Sequence, residues 1–333
     1  MNVLITGGAG FIGSHIVEIL LKDKKIKKIS VLDNLLDGSL KNLKFTLADK
    51  RVFFYKRDIN NINSIKYLFK KINVVIHLAA LSDIVPSIVK PIQYLNTNIM
   101  GTVNVLEAMR AYNVTKIIYA ASSSCYGIPK NYPTSEKEKI DPKYPYAFSK
   151  FMGEQTILHW SKVYGINYIS LRLFNVYGLR SRTHGAYGAA LGVFLKQKLC
   201  KKHFTVVGTG NQKRDFVNAA DVALAFKKAV FIKKKNLILN IGSANPKSIN
   251  YLLSLIKGKK IYIPKRPGEP HTTFANIKLA NKQLKWGPLI SLKVGIKEVI
   301  ENINYWKSAP LWNSKKISKA TKIWFKYLSK LKY

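Results

Sequence analysis

Short apolar runs alternate with helical stretches through the first half of the chain. Val3-Leu4-Ile5-Thr6 is apolar enough for a parallel strand buried on both faces. Apolar positions then recur at Ile16, Ile19 and Leu20, a helical spacing. Runs at 29–32, 52–55, 74–76 and 117–120 predict four more strands. One long helical stretch is predicted to end near Tyr112. Another begins at Pro145, where a proline suits a first helical turn, and closes at Gly165, which suits the position just past a helix end. Repetition of strand and helix predicts an α/β fold on a doubly wound parallel sheet.

The turn after the first run reads Gly7-Gly8-Ala9-Gly10-Phe11-Ile12-Gly13. Strand, glycine turn and helix form the context in which this spacing binds a dinucleotide. Gly7 and Gly10 let the backbone turn and approach a pyrophosphate. Gly13 lets the helix pack on the strand, and the helix N-terminus faces the phosphates. The second run ends at Asp33, 20 residues after Gly13, where an acid bonds the adenosine ribose hydroxyls. A turn role is the plainer alternative for Asp33. Asn34 and Leu35 follow, with no Arg or Lys there for a 2′-phosphate, so NAD is favoured over NADP. His77 reads as a packed or hydrogen-bonded side chain rather than a catalytic one. The small residues Ala79 and Ala80 permit close approach of a cofactor. After the fifth run comes Ser122-Ser123-Ser124-Cys125-Tyr126-Gly127. Its hydroxyls stand at the carboxyl end of a strand, where open α/β sheets bind ligands. Cys125 reads as a small packed hydrophobe rather than a reactive thiol.

Tyr146 and Lys150 stand four apart at the start of the helix predicted from Pro145, and so share a face. An ammonium beside a phenol favours phenolate, and a tyrosine tuned in this way can act as a general base. With 18 Tyr in the chain and Lys abundant, the pair alone is a weak signal. Its place after a dinucleotide pattern gives it weight.

Composition changes the picture in one respect. The 333 residues are 47% hydrophobic, which fits a globular chain with a real core, yet the net charge is +39. Nucleic-acid binding is the obvious reading of that charge. Eight of the 56 cations are Arg, at 51, 57, 110, 172, 180, 182, 214 and 266, which leaves 48 Lys scattered along the chain. Lys is the default surface cation here, so no nucleic-acid partner is expected. The retained Arg are the informative cations, because planar bidentate phosphate recognition is hard for Lys to imitate. Two cysteines give no disulfide framework, and no apolar run of 18 or more residues exists. With no charged and then apolar leader, a cytoplasmic protein is expected. No metal is expected.

In order along the chain stand Thr6-Gly-Gly-Ala-Gly-Phe-Ile-Gly13, Asp33-Asn34, Asp58-Ile59, His77-Leu-Ala-Ala80, Asn98-Ile-Met-Gly-Thr102, Ser122-Ser-Ser-Cys-Tyr-Gly127 and Tyr146-Ala-Phe-Ser-Lys150. Leu171-Arg-Leu-Phe-Asn-Val-Tyr-Gly178, Arg214-Asp-Phe216, Asn240-Ile-Gly242 and Arg266-Pro-Gly-Glu269 follow. This ordered set resembles the extended short-chain dehydrogenase/reductase family, specifically its nucleotide-sugar epimerases. The resemblance implies an NAD-binding Rossmann domain over 1–178, with segments near 216–242 returning to it. It implies a smaller α/β nucleotide-sugar-binding domain over 179–310 and a basic extension over 311–333. Cofactor contacts fall on Gly7, Gly10, Phe11, Ile12, Gly13, Asp33, Asn34, Asp58, Ile59, Leu78, Ala79, Ala80 and Asn98, with Tyr146 and Lys150. Substrate contacts fall on Ser122, Ser123, Tyr146, Asn175, Arg214, Arg266, Glu269 and Thr273. In these roles Asn175 meets the diphosphate, the two Arg hold diphosphate or nucleotide, and Glu269 bonds the nucleotide ribose. Asp215 and Phe216 look structural.

The implied chemistry is transient oxidation at C4 of a UDP-sugar. Tyr146 is the base, Ser122 the relay hydroxyl, and Lys150 bonds the nicotinamide ribose. NAD is regenerated each turn and stays bound. Related dehydratases carry Asp-Glu, and decarboxylases a Glu, beside the catalytic hydroxyl. Here Ser123 and Ser124 stand there, which favours epimerase over dehydratase, decarboxylase or 4-keto-reductase. A non-enzymatic binder of an acidic partner is the rival class, and the intact Ser122, Tyr146 and Lys150 argue against it. Thr273, four past Glu269, stands where hexose 4-epimerases carry a bulky residue, so N-acetylated sugars are expected to fit, alone or beside plain hexoses. His184-Gly185-Ala186-Tyr187 also resembles the N-acetyl-tolerant branch. A homodimer is implied through helices like those ending near Tyr112 and starting at Tyr146. In the extension, Ile317, Ala320, Trp324, Leu328 and Leu331 fall at helical spacing among many Lys. That pattern reads either as a membrane-surface segment or as a helix docked on its own chain.

Overall fold

The strand and helix rhythm is present in the computed structural model, which describes residues 1–181 and 190–329. The first half runs β1 (Asn2–Thr6), α1 (Phe11–Leu21), β2 (Lys28–Asp33), β3 (Val52–Lys56), α2 (Ile62–Ile65) and β4 (Val74–His77). It continues through α3 (Ile84–Val89), α4 (Pro91–Leu95), α5 (Gly101–Ala111), β5 (Lys116–Ser122), α6 (Pro145–Tyr164) and β6 (Asn167–Leu173). A π-helical turn at Asn96–Met100 joins α4 to α5. The helical stretch expected to end near Tyr112 is therefore nearly continuous, and Tyr112 is its C-cap. Pro145 opens α6, and Gly165 closes it in the left-handed conformation.

The later chain runs β7 (Asn175–Tyr177), α7 (Ala190–Leu199), β8 (Phe204–Val207), β9 (Lys213–Arg214), β10 (Phe216–Asn218), α8 (Ala219–Phe231) and β11 (Leu237–Ile241). Then come β12 (Lys247–Ser248), α9 (Ile249–Ile256), β13 (Lys260–Ile263), α10 (Lys278–Leu284), α11 (Leu292–Glu301) and α12 (Ser314–Leu328).

Seven strands form one parallel sheet in the order β11-β6-β5-β4-β1-β2-β3. A parallel sheet needs both faces covered. Ile16 and Leu20 of α1, Phe226 of α8 and Leu284 of α10 fill one face. Leu106 and Met109 of α5 and Ile157 of α6 fill the other. The chain reaches one edge at β3 and returns to β4 on the far side of β1. The switch point therefore lies between β1 and β4, where such sheets bind ligands. The 216–242 stretch supplies α8 and the edge strand β11, so late sequence completes the sheet. A second core, with Phe194, Phe204, Leu253, Val299 and Trp306, lies among α7, β8, α9 and α11.

One open alternative is decided and one expectation changes. The inward face of α12 carries Ile317, Thr321, Trp324 and Leu328. Trp324 and Leu328 pack on Val85 and Ile88 of α3. The apolar face that suggested membrane contact through 311–333 is thus covered by the chain itself, because burying it internally removes it from water without a lipid. Leu331 lies outside the described residues. Among those described, no helix is long and apolar enough to cross a membrane. The expectation that changes concerns Arg. Arg172 forms a buried ion pair with Glu154 at 2.6 Å, and Arg180 pairs with Glu18 at 2.7 Å. Arg51 and Arg110 pair with Asp49 and Glu107. The fork geometry that suits phosphate suits a carboxylate equally, so rarity of Arg did not by itself mark ligand contacts. Arg182 lies outside the described residues.

Candidate active site

One cavity of about 1590 Å³ opens where the carboxyl ends of β1, β2, β4, β5 and β6 meet the later chain. Ligand pockets of about 300–1,000 Å³ hold one drug-sized molecule, so this cavity has room for two. Every residue expected to touch cofactor or substrate lines it except Asn98. The Asn98 amide accepts from Leu81 N at 2.8 Å and donates to Leu81 O at 2.9 Å and Ser149 Oγ at 2.8 Å. Its polar atoms tie the β4 loop to α6 behind the wall.

One wall is made of backbone. Gly7 has φ +70°, and a Cβ there would lie 2.7 Å from the Ala79 amide nitrogen. A Cβ on Gly13 would lie 2.6 Å from Cα of Gly8, so the start of α1 seats against the turn only without a side chain. Gly10 caps α1 with no side-chain hydrogen bond, and no acid stands in the first turn. The first-turn amides, at Phe11 and Ile12, are left for an anion. Asp33 ends β2 and accepts from Ala9 N at 3.0 Å and Leu35 N at 2.8 Å. Burial pushes its carboxyl pKa up while the two amides pull it down. The turn role and the cavity-facing role therefore coexist. Asn34 Nδ2 donates to Asp58 Oδ2 at 3.0 Å, joining the ends of β2 and β3, with Ile59 beside them. Leu78, Ala79 and Ala80 complete this wall after β4. The bare glycine turn, the uncapped helix and the fixed carboxylate fit NAD. Arg57 also lines the cavity. The sequence reading missed it because it arrives from β3, not from the residues after Asp33.

His77 lies behind that wall with both ring nitrogens engaged, Nδ1 to Thr6 Oγ1 at 2.7 Å and Nε2 to Thr102 Oγ1 at 3.0 Å. Burial, with Lys150 nearby, holds its pKa down to about 3. It is a neutral tie between β1, β4 and α5, as its sequence context implied.

Between the two walls stand Tyr146, Lys150 and Ser122. The first two turns of α6 present Tyr146 and Lys150 to the cavity together. Lys150 Nζ sits 4.2 Å from the centre of the Tyr119 ring. Burial lowers its pKa to about 7, opposed by the Glu154 carboxylate. Ser122 Oγ accepts from Ser124 N at 3.2 Å and shares a 2.8 Å hydrogen bond with Ser124 Oγ. Ser123 adjoins them on the wall. Tyr144 lies nearly parallel to Tyr146, with ring centres 6.4 Å apart and planes at 7°. Burial, then the neighbouring Tyr146, raises the Tyr144 pKa, so that phenol keeps its proton. Burial pushes the Cys125 thiol up to about 12 and leaves it inert. Behind α6, Glu154 takes two bonds from Arg172 and one from Ser170, and Arg172 reaches Tyr126 Oη at 3.0 Å. Tyr126 in turn donates to Asn240 of β11 at 2.7 Å. This network fixes α6 against the sheet.

The opposite wall is made of side chains. Arg266 Nη1 lies 3.0 Å and Arg214 Nη2 3.5 Å from the carboxylate oxygens of Glu269. Two guanidiniums around one carboxylate leave a net positive cluster, suited to a diphosphate. Thr273 Oγ1 donates to Asn175 Oδ1 at 2.7 Å and accepts from Asp215 N at 2.9 Å. Asp215 is fully buried and is satisfied by Ser243 and Ala275, a structural role as read from the sequence. Phe216 packs edge-on against Tyr177, in keeping with a structural role, and also forms part of the wall. Sequence reasoning also missed Tyr144 and Ile317 on this wall. Tyr144 stood beside a recognised motif, but no spacing rule singles it out. Residues 184–187, read as a sugar-tolerance signal, lie outside the described residues.

Comparison with known proteins accords with this geometry. The chain matches the NAD dependent epimerase/dehydratase family over residues 3–242. It is 39% identical over 309 residues to a putative UDP-glucose 4-epimerase of Methanocaldococcus jannaschii, covering 90% of this chain and 97% of that protein. It superposes on UDP-glucuronic acid 4-epimerase from Bacillus cereus, solved with UDP-glucuronic acid and NAD, with a TM-score of 0.85 and 32% identity over 92% of this chain and 99% of that one. It superposes on UDP-N-acetylglucosamine 4-epimerase from Methanobrevibacter ruminantium, solved with UDP-N-acetylmuramic acid, with a TM-score of 0.83 and 29% identity over 90% of this chain and 98% of that one. With its glycine turn, its paired Tyr146 and Lys150 and its seven-stranded parallel sheet, the chain belongs to the NAD dependent epimerase/dehydratase family.

Proposed function

We propose that this protein is an NAD-dependent UDP-sugar 4-epimerase acting through a transient 4-keto sugar. One observation carries the reading. Ser122, Tyr146 and Lys150 meet in a single cavity between a dinucleotide cradle and the Arg214, Arg266 and Glu269 cluster. NAD, when bound, supplies a reversible hydride acceptor. Tyr146 takes the proton of the C4 hydroxyl and returns it after the sugar has turned over. Ser122 orients that hydroxyl, with the Ser124 hydroxyl behind it as a proton partner. Lys150 supplies positive charge that favours the phenolate. Arg214 and Arg266 hold the diphosphate, which leaves the sugar free to rotate. Residues 123 and 124 carry hydroxyls and no carboxyl, so general-acid elimination has no donor on that segment.

The substrate reading is finer. Relatives act, by their names, on UDP-glucose, UDP-glucuronate or UDP-N-acetylglucosamine. The small Thr273, its hydroxyl engaged by Asn175, supports acceptance of the N-acetylated pair, alone or with plain hexoses. Pairing of two chains through the α5 and α6 surface is part of the same proposal, supported by exposed Phe148, Val163 and Tyr164 on α6.

The test is NMR of purified protein with UDP-N-acetylglucosamine and no added cofactor. Appearance of the galacto epimer is expected. Conversion of UDP-glucose to UDP-galactose with the N-acetylated sugar untouched would sink the substrate reading alone. A need for stoichiometric NADH would replace the epimerase reading with a keto-reductase.

A further inference from the structure

Helix α12 lies outside the matched region 3–242, yet three tethers join it to parts of the cavity. At its approach, the Trp312 carbonyl accepts from Gln197 Nε2 at 2.8 Å. The same amide donates to Thr205 Oγ1 at 2.8 Å, and Thr205 is on the cavity wall. Next, Ile317 is 4% exposed and itself forms part of the wall. Two turns on, along the same face, Trp324 is fully buried. Its indole Nε1–H donates to the Pro267 carbonyl at 2.7 Å. Pro267 stands between Arg266 and Glu269, in a loop that turns at Gly268 with φ +75°. The Trp324 ring also lies 6.0 Å from the Tyr144 ring, the one that stacks beside Tyr146.

We infer that α12 is a working part of the nucleotide-sugar site, a strap whose positioning residue, Trp324, fixes the Arg266–Glu269 loop and Tyr144 for binding. This rests on the nucleotide-sugar reading above. The physical need is plain. Arg214 and Arg266 converge on one carboxylate, and two guanidiniums held together repel one another. A loop that must hold Arg266 at a fixed separation from Arg214 of β9 loses conformational freedom on binding unless something has already fixed it. The indole does so from behind with one hydrogen bond to the loop backbone and one aromatic face to Tyr144. The alternative use of α12 is electrostatic, through Lys319, Lys322 and Lys326, which are exposed on its outer face. Those side chains do not line the cavity.

The experiment uses the full-length, NAD-loaded protein and UDP as the probe, by calorimetry below each variant's melting temperature. Trp324→Ala should weaken UDP binding about tenfold through lost preorganisation, with retained NAD unchanged. Trp324→Phe keeps the ring and loses the N–H donor, and should recover to about threefold weaker than wild type. In turnover, KM for the nucleotide sugar should rise by more than kcat falls, a split that a general loss of stability would not produce. Should Trp324→Ala fail to fold, Ile317→Ala serves in its place and should weaken UDP about threefold by loss of wall contact. Wild-type affinity in the folded variants would overturn the strap and leave the nucleotide-sugar reading intact. Wild-type protein that does not bind UDP would overturn both. Charge reversal at Lys319, Lys322 and Lys326 should leave UDP affinity within about twofold. A loss there equal to that of Trp324→Ala would overturn the strap in favour of charge attraction.

Discussion

The two walls of the cavity are built in opposite ways. The NAD wall is backbone: a glycine turn, a helix start and a carboxylate already fixed by two amides. Its parts come from short stretches that each follow a strand. The wall proposed for the sugar nucleotide is side chain: Asn175, Arg214, Arg266, Glu269 and Thr273, with Tyr144 and Ile317 added from elsewhere in the chain. Backbone geometry demands particular residues, because only glycine fits where a Cβ would strike the main chain. A side-chain wall can be met by many residue combinations. A wall of the first kind thus suits a common cofactor, and one of the second kind can be rewritten for each ligand.

The seam between the walls gives the largest effect. Tyr146→Phe should lower kcat by about 10²–10⁴-fold while NAD stays bound and UDP binds as in wild type. Loss of either ligand would show that Tyr146 holds a wall together rather than serving the chemistry between them. Next comes the support of that seam. Arg172→Met leaves the Glu154 carboxylate buried without its partner, and should cost about 3–5 kcal/mol in denaturant unfolding. A loss under about 1 kcal/mol would mean that the pair is replaceable by solvent.

The same contrast explains what was legible in the sequence. The sheet, α6 and the glycine turn were readable because period, capping and the φ demand of Gly7 are local. Asp33 was readable by its spacing from Gly13. The bonds of Asn98 to Leu81 and Ser149 were not readable, because sequence order cannot distinguish a residue facing a ligand from one that braces the wall behind it. Arg172 shows the same limit: an Arg that pairs with buried Glu154 and an Arg that awaits phosphate are one letter. Helix α12 was visible as amphipathic, but its period says only that one face is covered. What covers it, Val85 and Ile88 of α3 with the Pro267 carbonyl close by, is a tertiary fact.

Independence of the walls can be tested by reciprocal damage. Gly13→Ala places a methyl against Gly8 and should lower retained NAD, with an overpacking cost of about 1–3 kcal/mol, while leaving UDP affinity near wild type. Arg266→Met should do the reverse, weakening UDP about tenfold or more through the lost charged hydrogen bonds with NAD content unchanged. Loss of both ligands in either variant would mean that one wall cannot stand without the other.

The smallest effect concerns Lys150, the buried cation beside Tyr146 on α6. Burial holds Lys150 at a pKa of about 7 against an ordinary value of 10.5, with Glu154 opposing the shift. Between those values the unfolded chain binds more protons than the folded one, so stability rises with pH across that window. Below about 7 the charge is carried in both states and its burial penalty is present in full. As pH climbs toward 10.5 the unfolded chain also loses the proton and the penalty fades. Lys150→Met has no such titration. In protein stripped of cofactor, the variant should melt above wild type at pH 6, and the gap should narrow steadily from pH 7 upward. If Lys150 bonds the nicotinamide ribose, as the family resemblance implies, retained NAD should flatten the wild-type curve, because those hydroxyls favour its charged form and lift its pKa. A gap that does not change with pH would place the Lys150 titration outside this window. The positive charge beside Tyr146 would then persist without the cofactor, and the base would be poised by the protein alone rather than by the two walls together.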